Sequence, residues 1–171
     1  HGSRAALPTH AEVHGAPRRH WAEVAQDPTA FLALGLVPAA WLHAALPALI
    51  EAEAACRLDG DAPCHWDVRS DILCFRSDGR AVLVDWAEAC LSNPDLDLGF
   101  WLPSLAHEGG PEPEALLPGR PDIAAWVSGF FAARAGLPAI PDAPRVRLVQ
   151  RQQLERALPW AVRALGLRPP D

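Results

Sequence analysis

Cys64-His65-Trp66-Asp67-Val68-Arg69-Ser70-Asp71-Ile72-Leu73, continued by Val82-Leu83-Val84-Asp85-Trp86, decides how this chain is read. Two carboxylates, Asp67 and Asp85, stand at the edges of short apolar runs with a turn between them. Ile72-Leu73-Cys74-Phe75 and Ala81-Val82-Leu83-Val84 read as short strands, and Ser77-Asp78-Gly79-Arg80 between them contains Asp-Gly, a strong hairpin signal. A hairpin is a stiff support. It can hold both a general base and an oxygen ligand for a metal.

Helices are expected on both sides of this hairpin. Asp27-Pro28 starts one, because Asp can cap and Pro suits the first helical position. Gly35 is its stop. A longer helix runs from about Ala39 to Arg57, with Trp41, Leu42, Ala45, Leu49 and Ala52 as an apolar stripe; Pro47 should kink or split it. After the hairpin, Asp95-Leu96-Asp97-Leu98 leads into a buried helix that Pro103 should bend or shorten. One helical turn is expected at Glu114–Leu117. Two more helices follow, about Asp122 to Ala135 and about Pro144 to Leu165, the second kinked at Pro159. Residues 1–26, with His10, His14 and His20 among Pro, Gly and Arg, read as an irregular lead-in rather than a histidine metal site. His1-Gly2-Ser3 within it reads as a scar of tag removal.

The composition bounds the rest. A chain of 171 residues suits one domain, and half the residues are hydrophobic, enough for a core. The net charge of -6 and the absence of lysine argue against a broad nucleic-acid-binding face. Cys56, Cys64, Cys74 and Cys90 form no C-x-x-C pair and read as reduced, mostly buried thiols. No apolar run is long enough to span a membrane and no signal peptide is visible, which points to a cytoplasmic protein. No serine sits in a Gly-x-Ser-x-Gly turn, so an esterase or hydrolase is not expected. Ser104 and Ser128 lie in helical, apolar contexts.

His65-x-Asp67, the two spaced strands, Asp85-Trp86 and the Asp95-Leu96-Asp97-Leu98 run occur in the order and spacing of the aminoglycoside phosphotransferase family, which the chain resembles. The resemblance implies a protein-kinase-like fold. The chain would be its helical C-terminal lobe, α+β but mostly α, spanning 27–171 with the small β-hairpin carrying the catalytic loop. It further implies phosphoryl transfer from ATP, with Mg²⁺, to a hydroxyl of a small molecule. Asp67 would be the catalytic base and Asp85 the metal ligand. His65 would hold the loop by hydrogen bonding, and Asp97 would brace it from the following helix or simply cap that helix. Acidic groups such as Glu88 or Glu108 would suit a cationic acceptor.

Two features depart from that pattern. Ile72 stands where the family has a metal-binding Asn, and its side chain has no lone pair to offer. Asp71 beside it is the substitute ligand to consider, although neighbours in a strand point to opposite sides. The resemblance also implies a β-rich, lysine-bearing ATP-binding lobe ahead of the hairpin, and this sequence has no room for one there. The second expectation is therefore a non-catalytic kinase-like protein that binds a metabolite or partner without turnover. The sequence does not indicate an oligomeric state.

Overall fold

The computed structural model describes residues 7–170, so the expected scar at His1-Gly2-Ser3 lies outside the described residues. The chain is α+β, about 53% helical, with two small two-stranded antiparallel sheets. Among the described residues no helix is long and apolar enough to cross a membrane. The described residues form two compact units: 7–17 with Arg57–Trp101, and Arg18–Cys56 with 102–170.

The first unit carries the strands. β1 (Ala62–Cys64) pairs with β4 (Cys90–Ser92), and β2 (Leu73–Phe75) pairs with β3 (Ala81–Leu83). The β2–β3 turn closes with Gly79 at φ 79, and its amide donates to the Arg76 carbonyl at 2.9 Å. Ile72 lies in a single 3₁₀ turn, Ser70–Ile72, just ahead of β2. Its carbonyl accepts the Val84 amide at 3.1 Å, which extends the ladder by one rung. Helix α5 (Asp95–His107) begins in this unit, where the Asn93 side chain accepts the Asp95 amide at 3.2 Å. The four cysteines are free thiols: Cys64 and Cys90 are buried and face each other across β1–β4, Cys56 is half-buried and Cys74 is exposed.

The second unit is helical: α2 (His20–Gln26), α3 (Thr29–Leu32), α4 (Ala39–Ala55), α6 (Pro113–Leu116), α7 (Pro121–Ala135) and α8 (Val146–Ala164). α7 is buried almost all round, from Ile123 to Ala135, because its Ala-rich sequence lets α2, α3, α4 and α8 approach closely. Gly129 shows how closely: a Cβ there would stand 2.7 Å from Trp21 Cδ1. The Trp21 indole donates to the Ala125 carbonyl at 2.9 Å. Asp27 accepts the Thr29 amide at 3.1 Å at the start of α3.

Two expectations are corrected. The described part of the expected irregular lead-in, residues 7–26, carries two helices, α1 (His10–His14) and α2. The reason is hydrogen bonding that the composition conceals. Thr9 and Glu12 close a capping box on α1, and the Glu53 carboxylate of α4 accepts the first amides of α2. Pro47 does not split its helix and Pro103 does not end its helix, the breaks expected there as alternatives to a kink or a bend; α4, α5 and α8 run unbroken through Pro47, Pro103 and Pro159. A proline removes one hydrogen bond and crowds one carbonyl. In α4 the buried stripe of Leu42, Ala45, Leu49 and Glu53 continues across Pro47 and holds both halves in place.

Candidate active site

His65, Asp67, Asp85 and Asp97 all lie in the first unit, around the loop that joins β1 to the hairpin. Asp97, in the first turn of α5, faces that loop from below. Its Oδ2 accepts the His65 amide at 2.6 Å and its Oδ1 accepts the Trp66 amide at 2.8 Å. Both bonds are charge-assisted, and both carboxylate oxygens are used.

The imidazole of His65 is 1% exposed and ties the loop to the end of the hairpin. Its Nε2 donates to the Val84 carbonyl at 2.8 Å, and its Nδ1 accepts the Asp67 amide at 3.3 Å. One ring therefore holds the backbone of Asp67 and of the residue before Asp85. The Trp86 ring lies against it at 4.7 Å, anchored by its own indole bond to the Leu83 carbonyl at 2.9 Å.

Backbone strain is concentrated here. Among the described residues, Trp66 at φ 63 and Asp85 at φ 62 are the non-glycine residues with positive φ. Such a conformation costs on the order of 1–3 kcal/mol for a residue with a Cβ and persists only where the surroundings enforce it. At Trp66 they do so through Asp97, and at Asp85 through the Val84 bonds on both sides of its peptide. At Trp66 the chain bends just before Asp67.

Asp67 is partly buried, and that burial raises its carboxyl above the usual value. The Arg69 guanidinium and His65 oppose the rise, while the Asp71 and Asp85 carboxylates add to it. Arg69 is shared, with Nη2 3.4 Å from Asp67 Oδ2 and Nε 3.2 Å from Asp71 Oδ1. Asp71 is thus turned toward Arg69, with its side chain 72% exposed. Ile72 is buried, at 5% exposure, as part of the core beneath the hairpin. Asp85 is exposed at the exit of β3.

The donor set bears on Mg²⁺ directly. Among the described residues no three His, Cys, Asp or Glu side chains form a group that could hold a metal ion. Ile72 adds no donor, and Asp71 is engaged by a cation. The carboxylates that remain, Asp85 and Asp67, suit the mode in which Mg²⁺ is held by one or two carboxylates together with substrate phosphates. They do not make a metal cage of protein alone.

Sequence reasoning missed two participants, α1 and Arg69. Trp66 is the pivot of the loop, and α1 places His10 and His14 against its ring at 4.5 Å and 5.1 Å. The signal for α1 was present in Thr9-x-x-Glu12, a capping-box spacing. Arg69 was legible only as a charge between two aspartates. No family model, curated protein or solved structure matches the chain.

Proposed function

We propose that this chain is the catalytic lobe of a small-molecule kinase, protein-kinase-like in fold and similar to the aminoglycoside phosphotransferases. It would transfer the γ-phosphoryl group of ATP to a hydroxyl of a small acceptor. The observation that carries the reading is the double attachment of His65, to the Asp67 amide and to the Val84 carbonyl. It sets a candidate base and a candidate phosphate-side carboxylate on one rigid support, as phosphoryl transfer requires, since positioning and charge neutralisation supply most of the catalysis.

In this reading Asp67 accepts a hydrogen bond from the acceptor hydroxyl and takes its proton as the new O–P bond forms and the bond to the departing ADP breaks. A carboxyl raised by burial is a stronger base than an ordinary aspartate, which favours that role. Asp85, at the same open end of the hairpin as Asp67, faces the nucleotide phosphates. Mg²⁺ brought with the nucleotide would supply the neutralising charge there. His65 and Asp97 act through the loop backbone and do not touch the substrate.

A second reading has an observation of its own. Ile72 is buried where a metal-binding amide would be needed, and no group of three ligands exists among the described residues. A protein that binds a phosphorylated metabolite without turning it over fits those facts. Calorimetric titration with MgATP, with ATP turnover followed over a panel of hydroxylated amines and sugars, separates the two. The kinase reading expects turnover that drops about 10²–10⁴-fold in Asp67→Asn. Nucleotide binding without turnover, unchanged in Asp67→Asn, supports the second reading and sinks the first.

A further inference from the structure

The segment before α1 and α1 itself form a strap over the loop. In β4 the Leu91 amide does not bond to β1 but donates to the Pro8 carbonyl at 2.7 Å, and Thr9 bridges Leu91 in the parallel sense. In an antiparallel pair every second residue turns its amide away from the partner strand, and Leu91, opposite Pro63, turns its amide to the strap. The strap then enters α1, whose first turn is closed by Thr9 and Glu12. His10 is 7% exposed. Its ring and that of His14 are 4.9 Å apart, both lie on the Trp66 ring, and Phe100 also stands against that ring at 5.6 Å.

Charge on this cluster would change its balance. Imidazole is the side chain that gains charge just below neutral pH. The groups that face His10 decide the sign. On α1 they are His14, a second imidazole, and Glu12, whose carboxylate is taken by the Thr9 amide and hydroxyl at 2.7 and 2.8 Å. From the loop and α5 they are the uncharged rings of Trp66 and Phe100. The segment ahead of β4 offers Glu88, 3.9 Å from His14 Nδ1. Attraction of an imidazolium to the face of Trp66 favours the charged form. Burial and the neighbouring His14 outweigh it and hold His10 below its ordinary value. The docked strap is therefore favoured above the free-histidine pKa of 6.5 and loses stability as the pH falls below it.

We propose that residues 8–14 are an acid-released strap: protonation of the buried His10 ring detaches it from β4 and uncovers Trp66 and the loop that carries Asp67. Nothing in this depends on the phosphotransferase reading.

The Leu91 amide reports docking directly. Hydrogen exchange of the whole chain by NMR at about pH 7.5 and about pH 5.5, corrected for the intrinsic rates, gives its protection at each. The Val84 amide, bonded to the Ile72 carbonyl at 3.1 Å, and the Asn93 amide, bonded to the Leu58 carbonyl at 3.3 Å, are controls in the same unit. Leu91 protection is expected to fall several-fold, up to about tenfold for one imidazole, with both controls unchanged. In His10→Phe, which keeps a ring on Trp66 but does not titrate, the fall should shrink. His10→Gln carries the same comparison if the larger ring is not accommodated. Protection of Leu91 that is the same at both pH values, a fall as large in the variants, or a fall shared by Val84 and Asn93 would each overturn the strap.

Discussion

Asp97 holds the backbone of His65 at 2.6 Å from a position 32 residues further along the chain, and its second oxygen holds the next amide. The loop before Asp67 is thus fixed from the first turn of α5 rather than by its own sequence. Charge-assisted bonds of this kind are worth about 1.5–3 kcal/mol each, and a buried amide left without its acceptor adds a penalty. Asp97→Ala should lower stability by about 3–5 kcal/mol in urea unfolding. Asp97→Asn, which keeps one acceptor, should lose roughly half of that. Equal stability of the alanine variant and the parent would remove Asp97 from the support of the loop.

The reach of the sequence follows from the range of each interaction. The hairpin was legible because alternation and Asp78-Gly79 are local, and β2, the turn and β3 lie where those signals put them. Helices α3 to α8 were legible from caps and apolar stripes, with ends displaced by one or two residues, while α1 and α2 were not. The β1–β4 pairing was not, since Ala62-Pro63-Cys64 has three residues and a proline that speaks against a strand. The Glu53 cap on α2 was equally hidden, because the two partners are 33 residues apart in sequence and meet only through packing. In the site, Asp67 and Asp85 stood out by type and spacing. That His65 would join their backbones, and that Trp66 would be roofed by α1, depended on tertiary contacts with no local trace.

Glycines separate two kinds of cost. At Gly136 a Cβ would stand 1.8 Å from the Ala30 carbonyl oxygen, and at Gly60 it would stand 2.3 Å from the Ser92 carbonyl oxygen. Backbone cannot yield as a side-chain tip can, so Gly136→Ala and Gly60→Ala should each cost about 3 kcal/mol or more. Gly119, at φ 67, meets nothing within 4 Å, so Gly119→Ala bears only the left-handed backbone penalty of about 1–2 kcal/mol. Thermal unfolding of the three variants should rank them in that order. A Gly119→Ala variant less stable than Gly136→Ala would contradict the packing.

In the helical unit, two buried groups titrate in opposite senses. Burial raises the Glu53 carboxyl to about 7 from an ordinary 4.5, against the pull of the Trp21 and His20 amides. Burial and the cationic Arg134 lower His20 to about 3 from 6.5. For Glu53 the folded value is the higher one, so its contribution is complete below 4.5 and disappears as the pH rises to 7. For His20 the folded value is the lower one, so its contribution is complete above 6.5 and disappears as the pH falls to 3. Between 4.5 and 6.5 the two slopes cancel. The urea midpoint should therefore be nearly level across that interval and fall on either side of it. His20→Phe, which keeps a ring against Trp126 and Phe130, should unmask Glu53: the midpoint then rises steadily from about pH 7 down to 4.5. A midpoint in that variant as level as the parent's would show that Glu53 does not titrate there.

Arg69 lies between Asp67 and Asp71, and its charge opposes the burial that raises Asp67. Removing it takes away the largest influence that favours the ionised carboxylate. Arg69→Gln should therefore move the Asp67 titration to still higher pH, while Arg69→Lys should restore much of the parental value, because a lysine ammonium carries the same charge from a more flexible stem. Carboxyl-carbon NMR of Asp67 measures this without any assumption about substrate. If Asp67 is also the base, the acidic limb of the turnover profile must move with it in the same direction and by the same amount. A titration that moves while the turnover profile stays in place would leave Arg69 acting on Asp67 and would take the role of base away from it.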